Sequence, residues 1–325
     1  MSDQKKPDGA RFIRPKDLDN DQRTTLGARL MWRVEAIAWD VLYWYPMKLL
    51  PIAWASGAMA AVLGAIGPLI SQHRTVMRNL RMCFPEWTDA QVKKVAKGAW
   101  RTMGHVVGEM PHLKELKPYT PNARVEVVGV EHIDAIRDSG KPAVFISGHF
   151  ANWEIVATAV SGRLPDAQIT YRPANNPHID RRIAKARSTY TDILTPKGAG
   201  TRELMRALAR GQSVALMNDQ KFNQGIAAPF FGYDAMTAPG PTRFAFKFNA
   251  PIVPVSCRRI GAARYRITIH PPYHPAPDAD EHQALYASVL RINQFVEGII
   301  REAPDEWFWM HNRWPKEAWV KAGVM

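Results

Sequence analysis

A histidine followed five positions later by a carboxylate can do acid–base chemistry, and His149 and Glu154 stand so in the run FISGHFANWE, Phe145 to Glu154. An imidazole that donates one ring N–H to a carboxylate is held in one tautomer, which frees the other nitrogen to take a proton. Five positions on a regular helix lie about 140° apart, so the two side chains meet only if His149 precedes the helix and folds back over its first turn. The pair would then be two thirds of a catalytic triad, with the nucleophile supplied by the substrate. The spacing fits equally a buried histidine satisfied by a local acid. Neither the HExxH of zinc proteases nor the GxSxG of serine hydrolases occurs in the chain.

Such a pair needs a scaffold. Beyond about residue 120 the runs VEVVGV, AVFIS, QITYR, SVALM, PIVPVS and RYRITIH read as strands, separated by helix-like stretches such as Asp180 to Tyr190 and Arg202 to Arg210. That alternation predicts an α/β fold, a mixed and largely parallel sheet flanked by helices. Reactive groups of such sheets gather beyond the carboxyl ends of the strands, where AVFIS leads into Gly148 and His149. Gly148 would let the chain turn tightly there. Arg172, after the QITY run and held before Pro173, could bind a phosphate or a developing oxyanion, or form a surface salt bridge. Asn175 and Asn176 could touch substrate or shape the loop. Asp219 follows SVALM into the same crevice, where it could organise Arg172 or the acceptor, or cap a strand end. Arg313 and Trp314 sit among Trp307, Trp309 and Trp319, and could line a lipid entrance or pack a core.

Residues 1–22 are polar, without a secretory-type apolar core, and read as a loose cytosolic tail. Residues 23–118 read as a helical region. Within it, 49–70 is an uncharged, Ala- and Gly-rich run long enough to cross a bilayer. Tyr43, Trp44, Tyr45 and Lys48 before it suit a headgroup boundary. Membrane insertion, an interfacial position and a buried helix all fit this run. Thr88 to His112 has helical spacing with Thr88 as N-cap, and 281–302 reads as a closing helix. Residues 119–325 would form the α/β core, packed with the helical region as one unit.

The chain has 43 Lys and Arg against 30 Asp and Glu, a net charge of +13. That balance favours an anionic partner: nucleic acid, a membrane surface, a phosphorylated substrate or an acidic carrier protein. The cations are spread out and no zinc-finger or RNP-like motif appears, which argues against nucleic acid. Only Cys83 and Cys257 are present, which fits a reducing compartment rather than a disulfide scaffold.

GHFANWE resembles the HxxxxD/E motif of the glycerolipid and lipid A acyltransferase superfamily, its Glu leaning toward the late acyltransferases of lipid A biosynthesis (the lauroyl and myristoyl acyltransferases). Arg78 to Pro85 (RNLRMCFP) is similar to the NL…CFP segment of that family, Tyr171 to Pro177 (YRPANNP) to its YRPxNNP block, and Asp305 to Pro315 (DEWFWMHNRWP) to its EQYxWxHRRW ending. The resemblance runs from about residue 30 to 320. Asn218-Asp-Gln-Lys221 departs from a PDxD-like stretch, and Asn312 from the first Arg of HRR. The resemblance implies acyl transfer from acyl carrier protein to a hydroxyl of a phosphorylated glucosamine lipid of the Kdo-lipid IVA type, at the cytoplasmic face of a bacterial inner membrane. It implies neither metal nor organic cofactor. His149 would deprotonate the acceptor hydroxyl, Glu154 would orient the imidazole and stabilise its cation, and no acyl-enzyme would form. Arg172, Asn175, Asp219 and Arg313 are the candidate substrate contacts. The same pair would serve another glycolipid or an aminoacyl-lipid acceptor, and a non-catalytic membrane protein that recruits an acidic partner is the reading from a different class.

Overall fold

The structure, a computed structural model, describes residues 26–171, 173–189, 194–196, 200–276 and 280–325. The tail 1–22 and Arg172 lie outside these described residues.

The amino-terminal part is helical: α1 (Leu26–Trp39), α2 (Tyr45–Leu49), α3 (Ile52–Ile66), α4 (His73–Cys83) and α5 (Asp89–Glu109). Thr88 caps α5 as expected, in a capping box with Gln91. The apolar run of the sequence is centred on α3, and α3 is partnered along its length. It lies antiparallel on α5, with small residues at the seam. A methyl added at Gly104 would come 2.4 Å from the Met59 carbonyl oxygen, and one at Gly108 would come 2.4 Å from that of Ala55. Two backbones in such contact exchange dispersion energy over a long line without large side chains. The opposite side of α3 carries Trp54, 73% exposed, and Val62.

The α/β part follows as β1 (Val125–Val128), α6 (Val130–Ser139), β2 (Val144–Ser147), α7 (Val156–Ser161), β3 (Gln168–Tyr171), α8 (Pro177–Arg187), β4 (Leu194–Pro196), α9 (Gly200–Ala209) and β5 (Val214–Met217). Next come the hairpin β6 (Ile226–Phe230) and β7 (Tyr233–Thr237), α10 (Gly240–Phe248), β8 (Ile252–Gly261), β9 (Arg264–Ile269), α11 (Glu281–Glu302) and α12 (Lys316–Lys321). Among the described residues seven strands form one sheet in the order β1-β9-β8-β2-β5-β3-β4, all pairs parallel except the β8–β9 hairpin. β2, fully buried, lies at the centre between β8 and β5. Its alternating side chains feed two cores. Phe145 joins the core under α6 and α7, and Val144 and Ile146 join the one under α9 and α10.

A third core ties the two parts together. α4, α5, the β6–β7 hairpin and α11 close over Trp307, Trp309, Trp314 and Trp319, each at most 5% exposed. The tryptophans expected either at a lipid entrance or in packing are packing. Asn79, fully buried, donates to the carbonyls of Trp309 and His311 at 3.1 Å each and accepts from Trp319 Nε1 at 3.1 Å. Each buried polar group of this amide is satisfied, so the bonds fix the carboxyl-terminal segment on α4 at no desolvation deficit.

Candidate active site

β2 and β5 are parallel neighbours with Ser147 opposite Met217. The chain leaves both strands at the same level, and two residues later each presents a polar side chain: His149 and Asp219. His149 Nδ1 lies 2.7 Å from Asp219 Oδ1, and the His149 main-chain N–H donates to Asp219 Oδ2 at 2.7 Å. Trp307 Nε1 donates to Oδ2 as well, at 2.8 Å. Asp219 is 1% exposed. Burial pushes its carboxyl up, but the charge and hydrogen bonds of His149, with His311 nearby, outweigh that and hold it well below the usual carboxylate range. An ionised carboxylate at Nδ1 holds that nitrogen protonated and leaves Nε2 as the acceptor. No described residue bonds Nε2.

Glu154 is elsewhere engaged. Expected to orient His149, it instead accepts from Arg187, Nε to Oε2 at 2.8 Å and Nη2 to Oε1 at 2.6 Å, a two-point ion pair within the crevice. The physical reason is the turn between them. Trp153–Ile155 is a single 3₁₀ turn before α7, Asn152 Oδ1 caps it by accepting from Glu154 N, and Glu154 faces the end of α8. Asp219, expected to organise Arg172 or the acceptor, is the carboxylate that holds the imidazole.

The loop between is held on three sides. Phe308 N donates to the His149 carbonyl at 3.2 Å and Ala151 N to that of Glu306 at 2.6 Å, so residues 149–151 pair with the 306–308 segment. Ala151 takes φ +43°, the left-handed region where glycine would be expected. The chain turns tightly here as expected, Phe150 N donating to the Gly148 carbonyl at 2.8 Å, and Gly148 also leaves room for its neighbour, since a methyl there would meet the Phe150 ring at 2.6 Å. From beneath, Glu109 of α5, fully buried, accepts from Asn152 Nδ2 at 2.7 Å, Ser56 Oγ at 2.7 Å and Tyr265 Oη at 2.5 Å, and pairs with Arg259. Trp153 and Phe308 flank the imidazole, ring centroids 5.3 and 6.0 Å away.

The other expected contacts lie apart from this centre. Asn175 is exposed, and its neighbour Asn176 caps α8 while donating to the Trp32 carbonyl and Glu35 Oε2 of α1, both at 2.9 Å. Arg313 is fully buried, bonded to the Met236 carbonyl, Thr237 Oγ1 and Asn293 Oδ1. Burial lowers its pKa to about 10. It braces α11 and the β6–β7 hairpin rather than facing a ligand. Sequence reasoning passed over Glu109, a lone acid in an otherwise apolar stretch, and Arg187 and Arg259, which stand among other cations and carry no distinguishing sign. Among the described residues no three His, Cys, Asp or Glu side chains converge as a metal site.

The arrangement can accept a proton from a hydroxyl at an electrostatically prepared imidazole, beside aromatic walls. Residues 28–316 match the family model described as bacterial lipid A biosynthesis acyltransferase. A lipid A biosynthesis lauroyltransferase of Escherichia coli is 25% identical over 302 residues, covering 89% of this chain and 90% of that protein. A lipid A biosynthesis acyltransferase of Haemophilus influenzae is 24% identical, covering 75% and 76%. A palmitoleoyltransferase of the same pathway in E. coli is 22% identical, covering 89% and 90%.

Proposed function

Since the chain belongs to the bacterial lipid A biosynthesis acyltransferase family and is an acyltransferase, we propose that His149 is its general base, with acyl carrier protein as acyl donor and a phosphorylated lipid A precursor as acceptor. His149 Nε2 takes the proton of an acceptor hydroxyl, and the oxygen forms a bond to the thioester carbonyl. The C–S bond then breaks, the thiolate leaves and takes the proton from the imidazolium, and an ester remains. Asp219 stabilises the imidazolium between the two transfers. Glu154 positions the loop through Arg187. The observation that carries this reading is the buried, two-point contact between Asp219 and His149.

The exposed apolar faces of α1 to α3 support attachment to the inner membrane, with the site toward the cytoplasm where acyl carrier protein is found. The pairing of α3 with α5 supports an interfacial position over a crossing, because α5 would carry Lys97 and Arg101 into the hydrocarbon with it. The +13 charge suits both an acidic donor and a phosphorylated acceptor.

The test is transfer of a labelled acyl group from acyl carrier protein to a tetraacylated, sugar-extended lipid A precursor by purified protein. Wild type is expected to transfer, and folded His149→Ala to lose activity by about 10³-fold. Equal turnover by the variant would sink the assignment. Turnover only with coenzyme A thioesters would remove the carrier protein from it.

A further inference from the structure

We propose that the groove between α1 and α8 is a binding site for the phosphate of an anionic phospholipid of the bilayer, separate from the acyl-transfer centre. The groove encloses about 550 Å³ and is lined by Arg33, Ile37 and Asp40 on one side and by Ile179, Arg181, Arg182 and Lys185 on the other. Among the described residues Asp40 is the one acid of the lining, and it is paired with Arg182, whose second nitrogen donates to Tyr45 Oη at 3.0 Å. Arg181 reaches the Pro177 carbonyl at 3.3 Å. Arg33 and Lys185 have no acidic partner among the described residues. Three positive charges therefore converge on one groove uncompensated, and a phosphate oxygen is the acceptor that cations so arranged take.

The neighbouring surface decides what kind of molecule carries the phosphate. Leu30, Val34 and Ile37 of α1, and Val41 in the turn that continues it, are each about 60% exposed and recur at turn spacing beside Arg33. A helix with an apolar stripe edged by cations lies in the plane of a membrane surface. An acidic protein would answer the charge and leave the stripe wet, whereas a bilayer answers both. α8 continues from Lys185 to Arg187, the partner of Glu154, so a headgroup seated here turns the mouth of the site toward the lipid surface.

The experiment is binding of the full chain, presented from a neutral detergent, to sedimentable vesicles of phosphatidylcholine with or without phosphatidylglycerol. The groove variant is Arg33→Gln, Arg181→Gln, Lys185→Gln, which leaves the Arg182–Asp40 pair intact. The comparison variant, Arg202→Gln, Arg243→Gln, Lys247→Gln, has the same net charge but lies on α9 and α10, across the sheet. A cation near an anionic surface is worth about fivefold in affinity. The groove variant is expected to lose at least about tenfold in binding to phosphatidylglycerol vesicles and none to pure phosphatidylcholine, while the comparison variant keeps its affinity. Lys185→Glu alone should fall further than Lys185→Gln. Equal losses in both triple variants would mean diffuse charge attraction and overturn the site. So would undiminished binding by the groove variant, or a loss seen only toward acyl carrier protein or only in KM for the lipid A precursor in neutral detergent.

Discussion

Asp219 grips His149 at two points, its Oδ1 on the ring nitrogen and its Oδ2 on the main-chain N–H of the same residue, both at 2.7 Å. One carboxylate thus sets the tautomer of the imidazole and the position of the backbone that bears it. Asp219→Asn keeps the shape and removes the charge. Its amide can donate to Nδ1 and so hold the proton on Nε2, the wrong nitrogen for a base. We expect kcat to fall by about 10²- to 10⁴-fold with KM nearly unchanged. A variant within a few-fold of wild type would remove Asp219 from the chemistry.

Glu154 should behave differently. Its carboxylate takes two bonds from Arg187, and removing one partner of a buried ion pair costs about 3–5 kcal/mol. Glu154→Ala and Arg187→Ala should each lower the thermal midpoint, and the double variant should lose much less than the sum. Additive losses would show that the two do not act as a pair.

The α3–α5 seam is predicted to be intolerant. Gly108→Val would drive a side chain into the Ala55 carbonyl, and helix backbones cannot yield as a flexible side chain would. A loss of at least about 2 kcal/mol is expected, read as the unfolding midpoint in detergent. Gly57→Ala, on the same α3 with open space around it, serves as the contrast and should be nearly silent.

Acid should loosen the core beside the site. Burial keeps the His311 imidazole neutral, its pKa lowered to about 4, against about 6.5 in the unfolded chain. Between those values the unfolded chain binds a proton that the folded chain does not. The contribution of His311 is therefore complete above about pH 6.5 and falls away as pH drops toward 4, by at most roughly 3 kcal/mol. Denaturation series at pH 7 and 4.5 should show a smaller difference for His311→Asn than for wild type. Other buried imidazoles are common to both proteins and cancel in that comparison. Identical differences would show that His311 is not the group responsible.

Among the described residues, six of the nine strands were legible because they are compact apolar runs, most of them rich in β-branched residues. β4 has three residues, too few to carry a pattern. β6 is interrupted by Pro229, which a two-stranded ribbon accommodates on its open side. The turn that follows, Phe231-Gly232, has positive φ at both residues and sets the hairpin's twist. Within the site, His149 and Asp219 were both recognisable as polar residues just past strand ends. Their partnership was not, since it depends on β2 and β5 being neighbours, and strand order is decided by the packing of intervening helices. The same limit misassigned Glu154. Closeness in sequence favoured His149, but the turn after Asn152 aims its carboxylate at a helix that the chain reaches only after another strand. The long apolar run was visible at once, whereas the glycines that marry it to α5 gave no sign of facing it.

That marriage has a practical side. Ser56 of α3 reaches Glu109, and Glu109 reaches Asn152 in the loop that carries His149. The part of the chain that would meet a lipid surface is thus also a wall of the reaction chamber. Excising the first helices to obtain a freely soluble enzyme would leave Glu109 open to water and the loop without its floor, and such a fragment should be inert however well it dissolves.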